Sequence, residues 1–329
     1  MNWKVTQMAK KNDSTLMYRI AKRYYQDNLS QNEIAHMESI SRSTVSRLLE
    51  KAKNSGVVTI DIKVPQDPDL DMLAESLRIA LHLDKVIVVP VSANKNNDET
   101  EEQILRDVVC LAATHLPGLM KDSNIVGVGW GRSVYNTASN LPIVKPDTNL
   151  LFVPLASNFT TRNRFLQTST IVSRFSEKFC ANEYYLNISS VKRYYEPRNK
   201  EEEANLLQLQ RYWNTLDTAI VSVGMPQRVT DFYLFEEISP EAFLKTRYDS
   251  SACFELLGQI FFDNGSYKSI SIEFEIIVLD LERLKTIPNV ICISAGIAKA
   301  ASIIHAARNG FIKTLIIDHL TAESILQLI

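Results

Sequence analysis

The sequence predicts an α/β protein in two parts: an N-terminal all-α helix-turn-helix module with a wing over residues 1–64, then a larger α/β body over residues 65–329. Three observations carry that reading. Short amphipathic helical patterns separated by turn signals fill Thr15 to Asn54. From Lys85 onward, β-branched runs alternate with helical segments, the pattern of a parallel sheet covered on both faces. Charge is also divided: residues 1–64 carry 11 Lys and Arg against 6 Asp and Glu, the rest carries 25 against 32, and the whole has a formal net charge of −2. Attraction to a polyanion is therefore expected to be local to the basic module, where phosphate contacts can gather on one surface. At 329 residues and 45% apolar content, the chain is long enough for two or three domains and a large core.

Residues 1–14 read as a flexible or weakly helical lead-in. From Thr15, the pattern LMYRIAKRYYQDN sets Leu16, Ile20 and Tyr24 on one side of a helix and Arg19, Lys22 and Arg23 on others. Leu29 and Ser30 break it, and Ser30 with Glu33 makes a capping box for a short second helix, QNEIAHME. Its Ile34 and Ala35 face inward, the small Ala35 suiting a tight helix crossing. Ile40 sits in the following turn, which has Ser39 where glycine is usual, so slight strain or a different turn geometry is expected.

Ser41 then caps a third helix, with Val45, Leu48 and Leu49 on one face at i, i+3, i+4 spacing. The other face collects short hydroxyls and guanidinium forks at a helix N-terminus, the chemistry that meets base edges in a major groove. Ser41, Arg42, Ser43, Thr44, Ser46 and Arg47 are accordingly the candidate DNA-contacting residues. An ordinary amphipathic surface helix would share this pattern; the two helices before it and the turn between favour a helix-turn-helix. Gly56 is placed as the C-cap, and VVTIDIKV alternates as a short strand or wing.

The segment PQDPDLD reads as a linker by its prolines and acidic residues, and hands over to a helix, LDMLAESLRIALHL. In the body, the expected strands are VIVVPV, IVGVGW, LLFVPLA, YYLNIS, TAIVSVGM, NVICISAG and TLIID. The helical segments between and after them include EEQILRDVVCLAATHL, TSTIVSRFSEKF, EEANLLQLQRYW, AKAASIIHAARN and TAESILQL. Ligands of such sheets bind beyond the carboxyl ends of the strands, which directs attention to the strand-to-helix loops.

Three loops stand out. Gly127 to Ser133, GVGWGRS, leaves a strand and opens a helix, where glycines let the backbone approach a ligand and helix-start amides favour an anion such as phosphate. A tight turn needing glycine for steric reasons alone would look the same. Ser222 to Met225 repeats the strand-then-glycine pattern, and Ser294 to Ala300 repeats it again with Lys299 in the first turn, where a cation could pair with a phosphate or simply be solvated.

Other classes find little support. No apolar run reaches the length of a bilayer span, and MNWKVTQMAKK lacks the apolar segment of a secretion signal. Cys110, Cys180, Cys253 and Cys292 are far apart in apolar segments and read as reduced core thiols of a cytoplasmic protein. The histidines His36, His82, His115, His305 and His319 have no metal spacing, and neither a GxSxG elbow nor a P-loop is present. Glu255 and Asp263 could do acid or base work, but the sequence does not make them converge.

From RIAKRYYQDNLSQNEIAHMESISRSTVSRLLEKAKNSGVVTIDI the chain resembles the SorC/DeoR family of bacterial sugar-responsive regulators. The resemblance continues through IVGVGWGRS, AIVSVG, ELLGQIFFDNG and the long block from LKTIPNVICISAGIAKAAS to the C-terminus. It implies a cytoplasmic transcriptional regulator with a Rossmann-like effector domain resembling sugar-phosphate isomerases and deaminases. That domain would bind a phosphorylated sugar without turning it over, need no cofactor, and assemble as a homodimer or homotetramer on operator DNA. The effector-binding positions implied are Gly129, Trp130, Gly131, Arg132 and Ser133 on the phosphate side, Lys299 in the late glycine loop, Glu255 toward sugar hydroxyls, and Gln167 at a helix start. Where the family often has Gly-Gly after a strand, this chain has Ala156-Ser157, a bulkier and more polar loop floor. The rival expectation is a sugar-phosphate isomerase- or deaminase-like enzyme with an appended nucleic-acid module, which would consume a phosphosugar. A DNA-binding architectural protein would bind no ligand at all.

Overall fold

The computed structural model describes residues 2–58, 67–91, 98–144, 146–157, 165, 167–186, 192–193, 197–225, 251–269, 274–275 and 277–329. The chain divides into two compact units, Met1–Val64 and Pro65–Ile329.

The first unit contains α1 (Asn2–Tyr25), α2 (Gln31–Glu38) and α3 (Arg42–Asn54). Helix α1 starts at Asn2 and not near Thr15, because no glycine or proline interrupts the backbone ladder between them. The expected apolar faces meet in one core: Met17, Ile20 and Ala21 of α1, Ile34 and Ala35 of α2, and Val45, Leu48, Leu49 and Ala52 of α3. The capping box is formed, Ser30 Oγ accepting from the Glu33 amide and the Glu33 carboxylate accepting from the Ser30 amide. Glu38, at the end of α2, is tied to α1. Its Oε2 accepts from Arg19 Nη2 at 2.7 Å and its Oε1 from Arg19 Nε at 3.2 Å, with Arg23 Nη1 also on Oε1. The Arg19 hydrogen bonds, helped by both guanidinium charges, hold the Glu38 carboxyl below its ordinary pKa. Ser39 caps α2 in the left-handed conformation, φ 55 and ψ 42, so the strain expected in the turn is present. Of the expected wing, VVTIDIKV over residues 57–64, only Val57 and Val58 lie within the described residues.

The second unit is built on a sheet of seven strands, all pairs parallel: β1 (Lys85–Val89), β2 (Ile125–Val128), β3 (Leu151–Pro154), β4 (Asn182–Glu183), β6 (Thr218–Val221), β11 (Asn289–Ile293) and β12 (Thr314–Asp318), in the order β1-β12-β11-β6-β2-β3-β4. Side chains alternate between the two faces, so Leu315 and Ile317 of β12 enter one apolar cluster and Ile316 the other. One face is covered by α5 (Asp98–Leu119), α6 (Arg132–Asn140) and α7 (Thr168–Phe179). The other is covered by α4 (Pro68–Ala80), α8 (Lys200–Trp213), α9 (Leu281–Thr286), α10 (Ala300–Arg308) and α11 (His319–Leu328). The three-stranded antiparallel sheet of β7 (Ala252–Leu256), β8 (Gln259–Phe262) and β9 (Tyr267–Ser269) is absent from the sequence expectation; the described residues also include a two-stranded pair, β5 (Lys192–Arg193) with β10 (Phe274–Glu275).

Three expectations need correction. Helix α4 begins inside the expected linker, because Pro68 is tolerated at a first helical position and Asp67 caps the turn. The fourth strand is Asn182–Glu183, just ahead of the run YYLNIS, of which only Tyr184–Leu186 lies within the described residues; its pairing is carried one step further by the Tyr184 amide on Phe152 O at 2.8 Å. Of the cysteines, only Cys292 is a core thiol: Cys253 is half-buried, Cys110 lies on the outer side of α5, and Cys180 is exposed at the end of α7. Apolar neighbours in sequence do not bury a residue on a helix's solvent side. All four are free.

The turn geometry yields a stability test. Ser39→Gly removes the left-handed penalty at an exposed position and should stabilise the first unit by about 0.5–1 kcal/mol, the gain being reduced by the extra freedom of glycine in the unfolded chain. Chemical denaturation checks it; a lower midpoint for the variant would show that the Ser39 side chain contributes more than its backbone costs.

Candidate functional site

Before β4, each crossover lies on the α5–α7 face; after it, the chain returns to pair β6 with β2 and winds outward on the opposite face. The reversal therefore falls between β2 and β6, and in open α/β sheets a crevice forms beyond the carboxyl ends of the two strands at such a point. Two of the three predicted glycine loops leave the sheet there, and the third leaves β11, the next strand along.

The β2 loop is shaped by close approach. The Gly129 amide donates to Ile220 O at 2.9 Å, and a Cβ on Gly129 would stand 2.8 Å from Leu257 Cδ2 and 3.3 Å from that same carbonyl. Gly131 has φ 118, a conformation open to glycine, and its amide donates to Phe165 O at 2.9 Å. It opens α6 with no side-chain cap, so first-turn amides are aimed past the end of β2. Arg132 is exposed and Ser133 buried, with Ser133 O accepting from Thr137 Oγ1. Trp130 is buried in the apolar cluster of the α5–α7 face, so its ring serves packing. Gln167 is the N-cap residue of α7, where its Oε1 accepts from Thr170 Oγ1 at 3.3 Å; it lies two residues beyond Phe165.

The β6 loop meets the hairpin of β7 and β8. Gly224 and Glu255 exchange both backbone hydrogen bonds, at 2.9 and 3.0 Å, and the Glu255 carboxylate fills the space a side chain at 224 would need, Oε2 lying 2.4 Å from an added Cβ. Glu255 Oε1 accepts from the Gly258 amide at 2.6 Å. Burial pushes the Glu255 carboxyl up to about 7, opposed by that amide and by the Lys299 charge. Lys299, half-buried before α10, is thus close enough to act on Glu255, and it also opposes the burial that lifts the Cys292 thiol to about 12.

Gly129, Glu255 and Lys299, remote in sequence, are therefore brought to one end of the sheet: Leu257 bridges Gly129 to the Glu255 hairpin, and the Lys299 charge acts on the Glu255 carboxyl. Sequence reasoning singled out the loop of Gly224 but missed Leu257 and Gly258, because Leu-Gly is not one of the dipeptides that mark a two-residue hairpin. It also missed Asp318, fully buried, whose carboxylate caps Thr321 and accepts the Gly296 amide at 3.0 Å, fixing the third glycine loop to the end of β12. Ser157, after β3, and Ser294, after β11, are buried with hydroxyls that have no partner among the described residues. Asp263 lies at the far turn of the hairpin sheet, its amide on Ser251 O, and does not join the group.

In the first unit, Ser41 Oγ accepts the Thr44 amide at 3.1 Å and shares hydrogen bonds of 2.8 Å with Ser43 Oγ and Thr44 Oγ1. Those three hydroxyls form one network at the helix start, in which the cap itself is the bond from the Thr44 amide to Ser41 Oγ. Arg42, Ser43, Ser46 and Arg47 are exposed together on the face of α3 away from its core.

A parallel sheet with glycine loops converging at its reversal defines a small-ligand-binding α/β domain, in a chain that also carries a separate helical unit. Residues 69–327 match the family described as "Putative sugar-binding domain", and the chain belongs to it. Its relatives are SorC- and DeoR-type regulators. The sorbitol operon regulator of Klebsiella pneumoniae is 24% identical over 329 residues, covering 97% of this chain and 100% of that one. The deoxyribonucleoside regulator of Bacillus subtilis is 26% identical over 318 residues, covering 95% and 97%. The crystal structure of full-length SorC from Klebsiella pneumoniae shares the fold with a TM-score of 0.65 at 23% identity, covering 96% of this chain and 99% of that one.

Glu255 makes stability depend on pH. Its folded pKa of about 7 lies above the unfolded value of about 4.3, so the folded state binds the proton more tightly. The contribution is complete below about pH 4.3 and lost as pH rises through about 7. Relative to wild type, Glu255→Gln should gain roughly 1–3 kcal/mol in stability of the second unit between pH 5 and pH 8. Parallel denaturation curves at the two pH values check this, and identical pH dependence in both proteins would remove the buried carboxyl as its source.

Proposed function

We propose that the protein is a sequence-specific DNA-binding transcriptional regulator of a carbohydrate-utilisation operon, with operator affinity controlled by a phosphorylated sugar bound in residues 65–329. The observation that carries the reading is the meeting of Gly129, Glu255 and Lys299 at the sheet reversal of a sugar-binding-domain family member. It is supported by a separate compact unit that presents two arginines and two serines on one helix face. The names of relatives support control of a sugar-related operon.

In this reading residues 1–64 form a winged helix-turn-helix, with α3 in the major groove, and residues 65–329 a Rossmann-like effector and oligomerisation domain. Arg42 and Arg47 contact guanine or phosphate, Ser43 and Ser46 contact base edges or phosphates, and Ser41 and Thr44 hold the helix start. The first-turn amides of α6, with Arg132 and Ser133, receive the phosphate, joined by Lys299; Glu255 and Gln167 receive sugar hydroxyls. A homodimer or homotetramer brings two α3 helices to half-sites about one helical turn, or a multiple, apart. The effector alters DNA binding only by favouring one quaternary arrangement, with coupling of about 1–3 kcal/mol. The protein acts in the cytoplasm; among the described residues no helix is long and apolar enough to cross a membrane.

One observation favours a second reading. A buried carboxyl with a pKa of about 7 beside a lysine is suited to proton transfer, as in a sugar-phosphate isomerase or deaminase. Incubating the protein with a sugar phosphate and analysing it for product separates the readings: the regulator returns its ligand unchanged.

Replacing Arg42 and Arg47 together by Ala should weaken operator binding at least tenfold and lower the salt slope by about one for each phosphate that is no longer neutralised. Electrophoretic shift or anisotropy titrations at several salt concentrations measure both, and unchanged affinity at physiological salt would refute their assignment. Lys299→Ala should abolish the response of the protein–DNA complex to a phosphorylated sugar while leaving DNA affinity intact. A normal response in that variant would take Lys299 out of the site.

A further inference from the structure

The tip joining β7 to β8, Leu257-Gly258, holds two consecutive residues in the left-handed region, φ 52 and φ 73. Two-residue hairpin loops of that shape favour Asn-Gly or Gly-Gly, because a large side chain at positive φ crowds its own backbone. A leucine there needs a reason. Its conformation is over-determined from three sides. The Gly258 amide closes the tip on Glu255 Oε1 at 2.6 Å. The backbone of Glu255 is clamped to Gly224 at the carboxyl end of β6. The Leu257 side chain, 2% exposed, lies over Gly129, its Cδ2 2.8 Å from where a Cβ would stand. Backbone strain enforced in this way concentrates at ligand clamps and switches.

We propose that Leu257 is a specificity-determining residue of the crevice at the sheet reversal: the strained tip sets an isobutyl group between the β2 glycine loop and Glu255, and its bulk fixes how long a ligand can be. This rests on the crevice being the sugar-phosphate site. A ligand anchored by its phosphate at the start of α6 and reaching Glu255 with its hydroxyls passes Leu257, the side chain that comes nearer to Gly129 than Val221 does and stands two residues beyond Glu255. Against an apolar wall, one carbon unit of ligand length discriminates by about 10–200-fold. Glycine at 257 would suit the backbone better; the leucine is held by its side chain, which joins the apolar cluster of the α4–α8 face and lies on Gly129.

The test is calorimetric titration of the full-length protein with ribose 5-phosphate, fructose 6-phosphate and sedoheptulose 7-phosphate, in wild type, Leu257→Gly, Leu257→Ala and Leu257→Met. Leu257→Gly should shift the affinity ratios toward the longer sugars by about tenfold or more. Leu257→Ala provides the same truncation if the glycine variant does not fold, and Leu257→Met, which keeps the volume, should keep the wild-type ranking. Binding with an unchanged ranking in the truncated variants overturns the role of Leu257 and leaves the effector reading standing. If all four proteins are folded and bind none of the sugars, the effector reading falls and Leu257's role falls with it.

Discussion

The pairing of β6 with β2 is the constraint on which the rest depends. Three backbone positions are in register there, Val126 with Thr218, Gly127 with Ala219 and Val128 with Ile220, and the Gly129 amide extends the ladder to Ile220 O. The two strands belong to halves of the sheet whose covering helices lie on opposite faces, and in open α/β sheets a crevice forms beyond the carboxyl ends of such a pair. Glycines at 129, 131 and 224 follow from this. At 129 and 224 a Cβ would collide with Leu257 or with the Glu255 carboxylate, and at 131 the chain must turn with positive φ to start α6.

Around that opening the structure accepts local cost. A carboxyl is buried at Glu255 with one amide donor and a lysine nearby, a leucine is held left-handed at the hairpin tip, and two buried serine hydroxyls, Ser157 and Ser294, lack partners among the described residues. Each is unfavourable by an amount of order 1–3 kcal/mol. They are grouped at the carboxyl end of the sheet, with the two apolar clusters behind them supplying the stability. The first unit shows the opposite pattern: its polar groups are satisfied by a capping box, a serine cap and a carboxylate gripped by two arginines, and Ser39 is its one left-handed residue between α2 and α3. A rigid three-helix frame leaves the exposed side chains of α3 as its adaptable part.

Local signals were legible where the chemistry is local. The faces of α1 to α3, the Ser30 and Ser41 caps and α7 over Thr168–Phe179 are as their periodicity and capping residues implied, since a helix needs only neighbours three and four residues away. The β-branched runs marked β1, β2, β3, β6, β11 and β12 because strands buried on both faces are apolar throughout. Less was legible where charge and partner had to be weighed together. Trp130 looked like a loop residue and is packed in the core, while Cys110 and Cys180 looked like core residues and are exposed.

By itself, then, the sequence determined the elements, the basic and acidic halves and the three glycine loops, all properties of residues within a few positions of each other. Only the tertiary structure decided that two of those loops flank the reversal, that Glu255 crosses from an antiparallel hairpin to fill the place of a side chain at Gly224, and that Leu257 lies on Gly129. Such contacts join residues about 30 and 130 positions apart, and strand order, which no local pattern encodes, is what brings them together.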